Sequence, residues 1–187
     1  MSKLELHWNP DFSAEYGRNI VDLINATVAD GGTLGFIEPL DADKARQFLS
    51  ALIQKIAKGE TYALYGSENG EPVFFVLMNL STMPNCRHSA ELAKGVVSPR
   101  FRGQGLVQAA FKALISKARA LQIEQFVLDV RANSRAHQVW QYFGFKTWGV
   151  LEDYARINGQ KHAGHYMAQS VESLAERIAY TQEESAC

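Results

Sequence analysis

The sequence is short of cysteine, of charge imbalance and of long apolar runs. Only Cys86 and Cys187 occur in 187 residues, too few for a disulfide framework. The expectation is two free thiols in a reducing, cytoplasmic setting. No Cys/His set has zinc-ligand spacing, so no metal is expected. Lys and Arg number 19 against 20 Asp and Glu, a net charge of −1. That balance lacks the basic excess that non-specific nucleic-acid binding needs. No apolar run approaches the ~18 residues of a membrane span, and Met1-Ser2-Lys3-Leu4-Glu5 is not the apolar stretch of a secretory signal. Neither nucleic acid nor membrane is an expected partner. Repeats and long linkers are missing too. What remains is an ordinary globular composition, 47% apolar and 21% charged. It fits one domain over residues 1–180 with a disordered tail over 181–187.

The spacing of Ile20, Leu23, Ile24 and Val28 predicts a helix over Asp11–Ala29, ended by Gly31-Gly32. A second helix runs from near Asp41 to Gly59 and carries Ala45, Phe48, Leu49, Leu52, Ile53 and Ile56 at the same period. The pattern then changes. Thr61–Tyr65, Val73–Leu80 and Ala90–Val97, with Asn69-Gly70 as a turn, read as an antiparallel meander. A helix over Gln104–Leu121 leads to a buried strand at Phe126–Val130. Strand, helix and strand in that order imply parallel pairing of the two strands. Asn133 is placed to cap a helix ending at Gly144. Phe145–Leu151 and His165–Ala168 form a closing hairpin around Asn158-Gly159, and Ser170–Tyr180 a last helix.

The sharpest feature is Val97-Ser98-Pro99-Arg100-Phe101-Arg102-Gly103-Gln104-Gly105-Leu106. A strand ends, a basic glycine turn follows and a helix starts. The first N–H groups of a helix lack intrahelical partners and sit at its positive end. Gly103 and Gly105 let an anion approach the backbone, and Arg100 and Arg102 add charge. Together they suit a diphosphate. A Walker loop would need Gly-Lys-Ser/Thr here. A dinucleotide fingerprint would need Gly or Ala where Gln108 stands, although Asp129 fits its ribose-binding acid. A solvated glycine turn is the plain alternative.

With these residues in place the sequence resembles the GNAT superfamily of acyl-CoA-dependent N-acetyltransferases. Arg100-x-x-Gly103-x-Gly105 matches that family's pyrophosphate motif. Asn133-x-x-Ala136 after a strand and Gly144-Phe145 after the next helix match a second block. The resemblance covers about residues 60–169. Gly31–Phe36 and Met83-Pro84-Asn85 also resemble the tabtoxin-resistance acetyltransferase branch, which acetylates small amine-bearing molecules.

The resemblance implies an α/β fold with a mixed, mostly antiparallel sheet, a parallel splayed central strand pair and flanking helices. It implies acetyl-CoA as co-substrate, its pyrophosphate held by the backbone of Arg102, Gly103, Gln104, Gly105, Leu106 and Val107. Val96 and Val97 match backbone contacts to the pantetheine arm, and Asn133 a side-chain contact. Glu91, six residues before Val97 on the same strand, matches a glutamate base in some members, and a partly buried carboxylate suits that task. The family tyrosine that protonates the leaving thiolate is replaced by Trp140, which packs beside the thiol and donates a hydrogen bond but no practical acid. Tyr142 is rotated away by about 200°. Tyr154, His165 and Tyr166 are the other acid candidates. The five histidines (His7, His88, His137, His162 and His165) read as surface or pocket-rim residues. Glu38, Asp41, Glu152 and Asp153 are acids near the expected acceptor pocket.

The function implied is direct acetyl transfer to a primary amine of a small molecule, with a homodimer as the expected assembly. The alternatives are a protein N-terminus or lysine as acceptor, and an acyl-CoA-binding module without catalysis.

Overall fold

The computed structural model of the chain describes residues 3–32 and 34–186, with side chains through Thr181. Met1, Ser2, Thr33 and Cys187, all touched by the sequence reading, lie outside the described residues. The elements in chain order are β1 (Leu4–Trp8), α1 (Glu15–Ala29), α2 (Ala42–Ala57), β2 (Thr61–Glu68), β3 (Glu71–Leu80), β4 (Ser89–Val97), α3 (Leu106–Ala120), β5 (Gln125–Arg131), α4 (Arg135–Tyr142), β6 (Lys146–Ile157), β7 (Gln160–Ser170) and α5 (Val171–Ala186). The sheet order is β1-β2-β3-β4-β5-β7-β6. β4 and β5 pair in parallel. The pairs β1–β2, β2–β3, β5–β7 and β6–β7 are antiparallel. This is the mixed, mostly antiparallel α/β architecture expected. No helix among the described residues is long and apolar enough to cross a membrane.

The chain divides into two compact units, Met1–Thr82 with Leu92–Ala110, and Met83–Glu91 with Phe111–Cys187. In the first, α1 buries Ile20, Leu23, Ile24 and Val28, the helical period read in the sequence. The α1 helix begins at Glu15 rather than Asp11, because Asp11 Oδ1 instead accepts from the Ser13 N–H and hydroxyl. Gly31, at φ +85°, ends it with its N–H on Val28 O. The first core gathers Phe12, Ile20, Leu23, Leu52, Tyr65, Phe75, Leu77 and Val96. Asn69 and Gly70 both take positive φ, as a tight hairpin turn between β2 and β3 requires. The sequence reading had no strand before the first helix. The structure adds β1, whose Leu4, Leu6 and Trp8 alternate with Glu5 and His7, antiparallel to β2.

In the second unit the alternation of β5 is sharp. Phe126, Leu128 and Val130 are buried, while Asp129 is exposed and Val127 and Arg131 are half-buried. Phe111 on α3 meets Phe143 at 4.8 Å and stacks on Phe145 at 6.1 Å. The hairpin strands β6 and β7 reach Asn158-Gly159 from both sides, longer than the segments expected. The α5 helix runs past Tyr180 to Ala186. Val171, Leu174, Ile178 and Thr181 are buried in sequence along one side of it, and that stripe carries it beyond the expected end.

Candidate functional site

The glycine loop belongs wholly to the first unit. Ser98 is buried, and its N–H donates to Val73 O at 2.8 Å. Pro99–Phe101 make one 3-10 turn, closed by Phe101 N on Ser98 O. Arg102 is extended, and Gly103 and Gly105 follow at φ +79° and +74°. A side chain other than glycine's pays about 1–2 kcal/mol in that conformation. A Cβ at either glycine would meet nothing within 4 Å. These glycines therefore serve backbone handedness rather than packing, and the space over them is open. The α3 helix starts at Leu106, two residues later than expected, with Gly105 O taking its first bond, from Ala109 N. The loop thus sets open space over its two glycines beside the start of α3, whose first N–H groups lack intrahelical partners, an arrangement that suits an anion. Its arginines are already engaged. Arg102 donates to Asp30 Oδ2 at 2.7 Å, and Arg100 lies 3.4 Å from Glu71.

Before the loop, β4 carries an irregularity that nothing in the sequence reading announced. Lys94 has φ +54°, the left-handed region, between Glu91 and Val96. Its Nζ donates to Leu34 O and lies 4.6 Å from the centre of the Phe36 ring. The strand is thereby fastened to the segment joining α1 and α2. Asn25 fastens the end of that segment, accepting from Leu40 N at 2.6 Å and donating to Leu40 O at 3.1 Å. Val96 is buried in the first core and Val97 is half-buried.

Glu91 falls in the second unit, opposite Val127 in the parallel ladder. Ala90 and Leu92 beside it are buried, while Glu91 is exposed rather than partly buried as expected. Strand alternation puts Val127 and Asp129 on its face of the sheet. Tyr166 is the register partner of Asp129 and shares that face too. His165 is the partner of Val130 and so projects from the opposite, core-side face. That separates it from Glu91 and removes it as an acid beside that residue.

Asn133 and Trp140 belong to the same unit. The cap of α4 is Ser134, not Asn133. Ser134 Oγ accepts from His137 N at 3.1 Å and donates to Arg131 O at 2.7 Å. Asn133 takes φ +58° and uses its N–H on His137 Nδ1 at 3.2 Å, so its side chain has no capping duty. Trp140 is half-buried, edge-on to Phe111 at 5.7 Å and to Phe145 at 5.1 Å. Tyr142 points away, as expected, under the Arg177 guanidinium. His137 departs from the surface placement expected for every histidine. It is 5% exposed and lies against the His165 ring at 4.2 Å between centres. Burial first, and His165 second, hold its pKa below the usual 6.5.

Sequence reasoning missed two residues here. Lys94 gave no signal, since lysine has no preference for the left-handed region. Asp129 was weighed only as a ribose-binding acid, although the alternation of β5 already set it off the core side.

The sequence matches the Acetyltransferase (GNAT) family over residues 20–145, more than half of the chain. Solved structures of similar fold include an N-acetyltransferase from Staphylococcus aureus Mu50, with TM-score 0.73 and 17% identity over 91% of this chain and 99% of that one. Another is yncA from Salmonella typhimurium with its cofactor acetyl-CoA, with TM-score 0.71 and 16% identity over 90% and 94%. A third is a ribosomal-protein-alanine N-acetyltransferase from Brucella melitensis, with TM-score 0.69 and 17% identity over 89% and 99%. At such identities the likeness carries the fold.

Proposed function

The chain belongs to the acetyltransferase (GNAT) family, whose members use acetyl-CoA, and from that premise we propose that it transfers the acetyl group to a primary amine of a small molecule by direct attack. The observation that carries this reading is the paired left-handed conformation of Gly103 and Gly105 at the start of α3, with open space above both. The residues present fit a pyrophosphate. The backbone N–H groups of Arg102, Gly103, Gln104, Gly105, Leu106 and Val107 are the donors assigned to it. Val96 and Val97 offer backbone groups to the pantetheine arm, with Asn133 and Trp140 as side-chain contacts to it.

When bound, acetyl-CoA supplies a thioester carbonyl activated for acyl transfer. Glu91 takes the proton that the amine must lose as its nitrogen forms the new C–N bond. The C–S bond breaks with its electron pair on sulfur, and solvent returns a proton to the thiolate, because Trp140 cannot. No covalent intermediate on the enzyme is required.

The test is thermal denaturation of wild type and a Gly103→Arg variant with acetyl-CoA, NAD(H) or ATP. Acetyl-CoA at a hundredfold excess over Kd stabilises wild type by about 2.7 kcal/mol and leaves the variant unmoved. Stabilisation by NAD(H) or ATP alone, with none from acetyl-CoA, would sink the reading.

A further inference from the structure

The open face of the second unit's sheet carries a hydrogen bond that the scheme above does not use. Tyr154 reaches this face from β6, and its hydroxyl donates to Asp129 Oδ2. Its ring is held on two sides. It meets the Tyr166 ring edge to face at 6.3 Å and lies on Gly164, where a Cβ would collide with Tyr154 Cγ. Trp148, 68% exposed and 5.5 Å from the Tyr166 ring, extends the aromatic surface. The charged and titratable groups that the strand register places on this face include Asp129 and Arg131 on β5, Glu91 on β4, His162 and Tyr166 on β7 and Lys146 on β6. Asp153, next to Tyr154 on β6, is held by Arg156 and Lys161.

A phenol has one proton, and here a carboxylate holds it. Burial first, then Asp129, with smaller contributions from Tyr166 and Glu91, keeps the Tyr154 hydroxyl un-ionised well beyond the ordinary tyrosine range. Such a hydroxyl is a poor proton source for a leaving thiolate, which removes Tyr154 as the missing acid. What it retains is its oxygen lone pairs.

We infer that Asp129 is a positioning residue for the acceptor: by accepting the Tyr154 hydroxyl it aims the phenol oxygen as a hydrogen-bond acceptor for an N–H of the attacking amine, on the face that carries Glu91. This deepens the acetyltransferase reading and rests on it. It also sets a substrate class. A neutral primary amine has two N–H bonds, one for Glu91 and one for Tyr154. A neutral secondary amine has one and leaves an acceptor unmet. The site therefore prefers primary amines by a margin that Tyr154 supplies.

Two measurements test this. The first needs no turnover: tyrosine ionisation followed by ultraviolet absorbance up to pH 11. Wild type and Tyr154→Phe give the same amplitude, because burial and Asp129 together keep Tyr154 un-ionised in that range. A larger amplitude in wild type than in Tyr154→Phe overturns the Asp129–Tyr154 pairing, whatever the enzyme does. The second is kinetics with matched primary and N-methyl secondary amines. Tyr154→Phe raises the KM for the primary amine about tenfold, the loss of one good hydrogen bond. It lowers the primary-to-secondary ratio of kcat/KM by a similar factor and leaves the KM for acetyl-CoA unchanged. Asp129→Asn moves both quantities in the same direction, and Gly164→Ala does so by displacing the ring. An unchanged ratio in Tyr154→Phe overturns the inference and spares the acetyltransferase reading. Wild type that binds acetyl-CoA and acetylates no amine overturns both.

Discussion

Glu91 and His137 show how differently two polar side chains of one unit are placed. Glu91 stands on the exposed face of β4 between two buried neighbours, where it can exchange a proton with solvent between turnovers. Glu91→Gln keeps the shape and removes the proposed base. Turnover falls by about a hundredfold or more, while acetyl-CoA still raises the melting temperature. Unchanged turnover would eliminate Glu91. His137 is the opposite case, buried with Nε2 unpartnered. Its Nδ1 accepts from Asn133 N, so the ring is neutral with its proton on Nε2. A folded-state pKa held below 6.5 means the unfolded chain binds the proton first. The stability contributed by the neutral ring is complete above pH 6.5 and is lost as the pH falls from there through the folded-state pKa. Melting temperatures from pH 8 to pH 5 will fall more steeply for wild type than for His137→Phe. Parallel curves would show that the ring does not titrate in this window. The place of Glu91 on β4 was legible in the sequence, because Ala90–Val97 reads as a strand, but its exposure was not. Nor was the burial of His137, since a histidine on a short helix looks the same whether it is covered or exposed until β7 brings His165 against it.

At the scale of elements, periodicity served well where a stripe meets a core and poorly where the chain bends locally. The α1 stripe, the β2–β3 turn at Asn69-Gly70 and the parallel β4–β5 pair all follow from patterns in the sequence. β1 was missed because five residues with half-exposed apolar positions give little signal. The left-handed Lys94 was missed because its reason is tertiary. Its ammonium meets Leu34 O and the Phe36 ring, while its backbone sits at φ +54° within β4. That arrangement has a measurable signature. Lys94→Ala and Lys94→Gly both lose the tether, but only glycine takes φ +54° without strain. The glycine variant will be more stable than the alanine variant by about 1 kcal/mol, measured by urea denaturation. Alanine equal to or above glycine would mean that β4 straightens once the lysine is gone. Between α1 and α2 the chain is tied at Leu34 by Lys94 and at Leu40 by Asn25.

For the molecule as a whole, the near-neutral charge read at the outset acquires a use. A net charge of −1 gives no long-range field to draw in an anionic co-substrate, and Arg100 and Arg102 are each paired to a carboxylate. In the proposed reading recognition falls to the loop's backbone N–H groups, which act at contact distance and are little screened. Raising salt from 50 to 500 mM will change the KM for acetyl-CoA by less than about threefold. A tenfold or steeper rise would return the dominant role to the arginines. The turn and the helix start at the loop were legible, because Arg100-x-x-Gly103-x-Gly105 is local. The sequence could not show that both arginines already have partners, because Glu71 and Asp30 come from distant parts of the chain.

The division of labour at the start of α4 has an outcome for how this enzyme can change. Ser134, and not Asn133, holds the first turn of the helix, and Ser134→Ala costs about 1 kcal/mol, whereas position 133 is limited by its φ of +58°, which suits Asn, Asp or Gly and strains other side chains by about 1–2 kcal/mol. The side chain proposed to meet the co-substrate is thus limited by backbone handedness and not by a capping duty. Asn133→Gly and Asn133→Asp keep the left-handed turn, so they remove the proposed pantetheine contact while the helix beneath it stays intact.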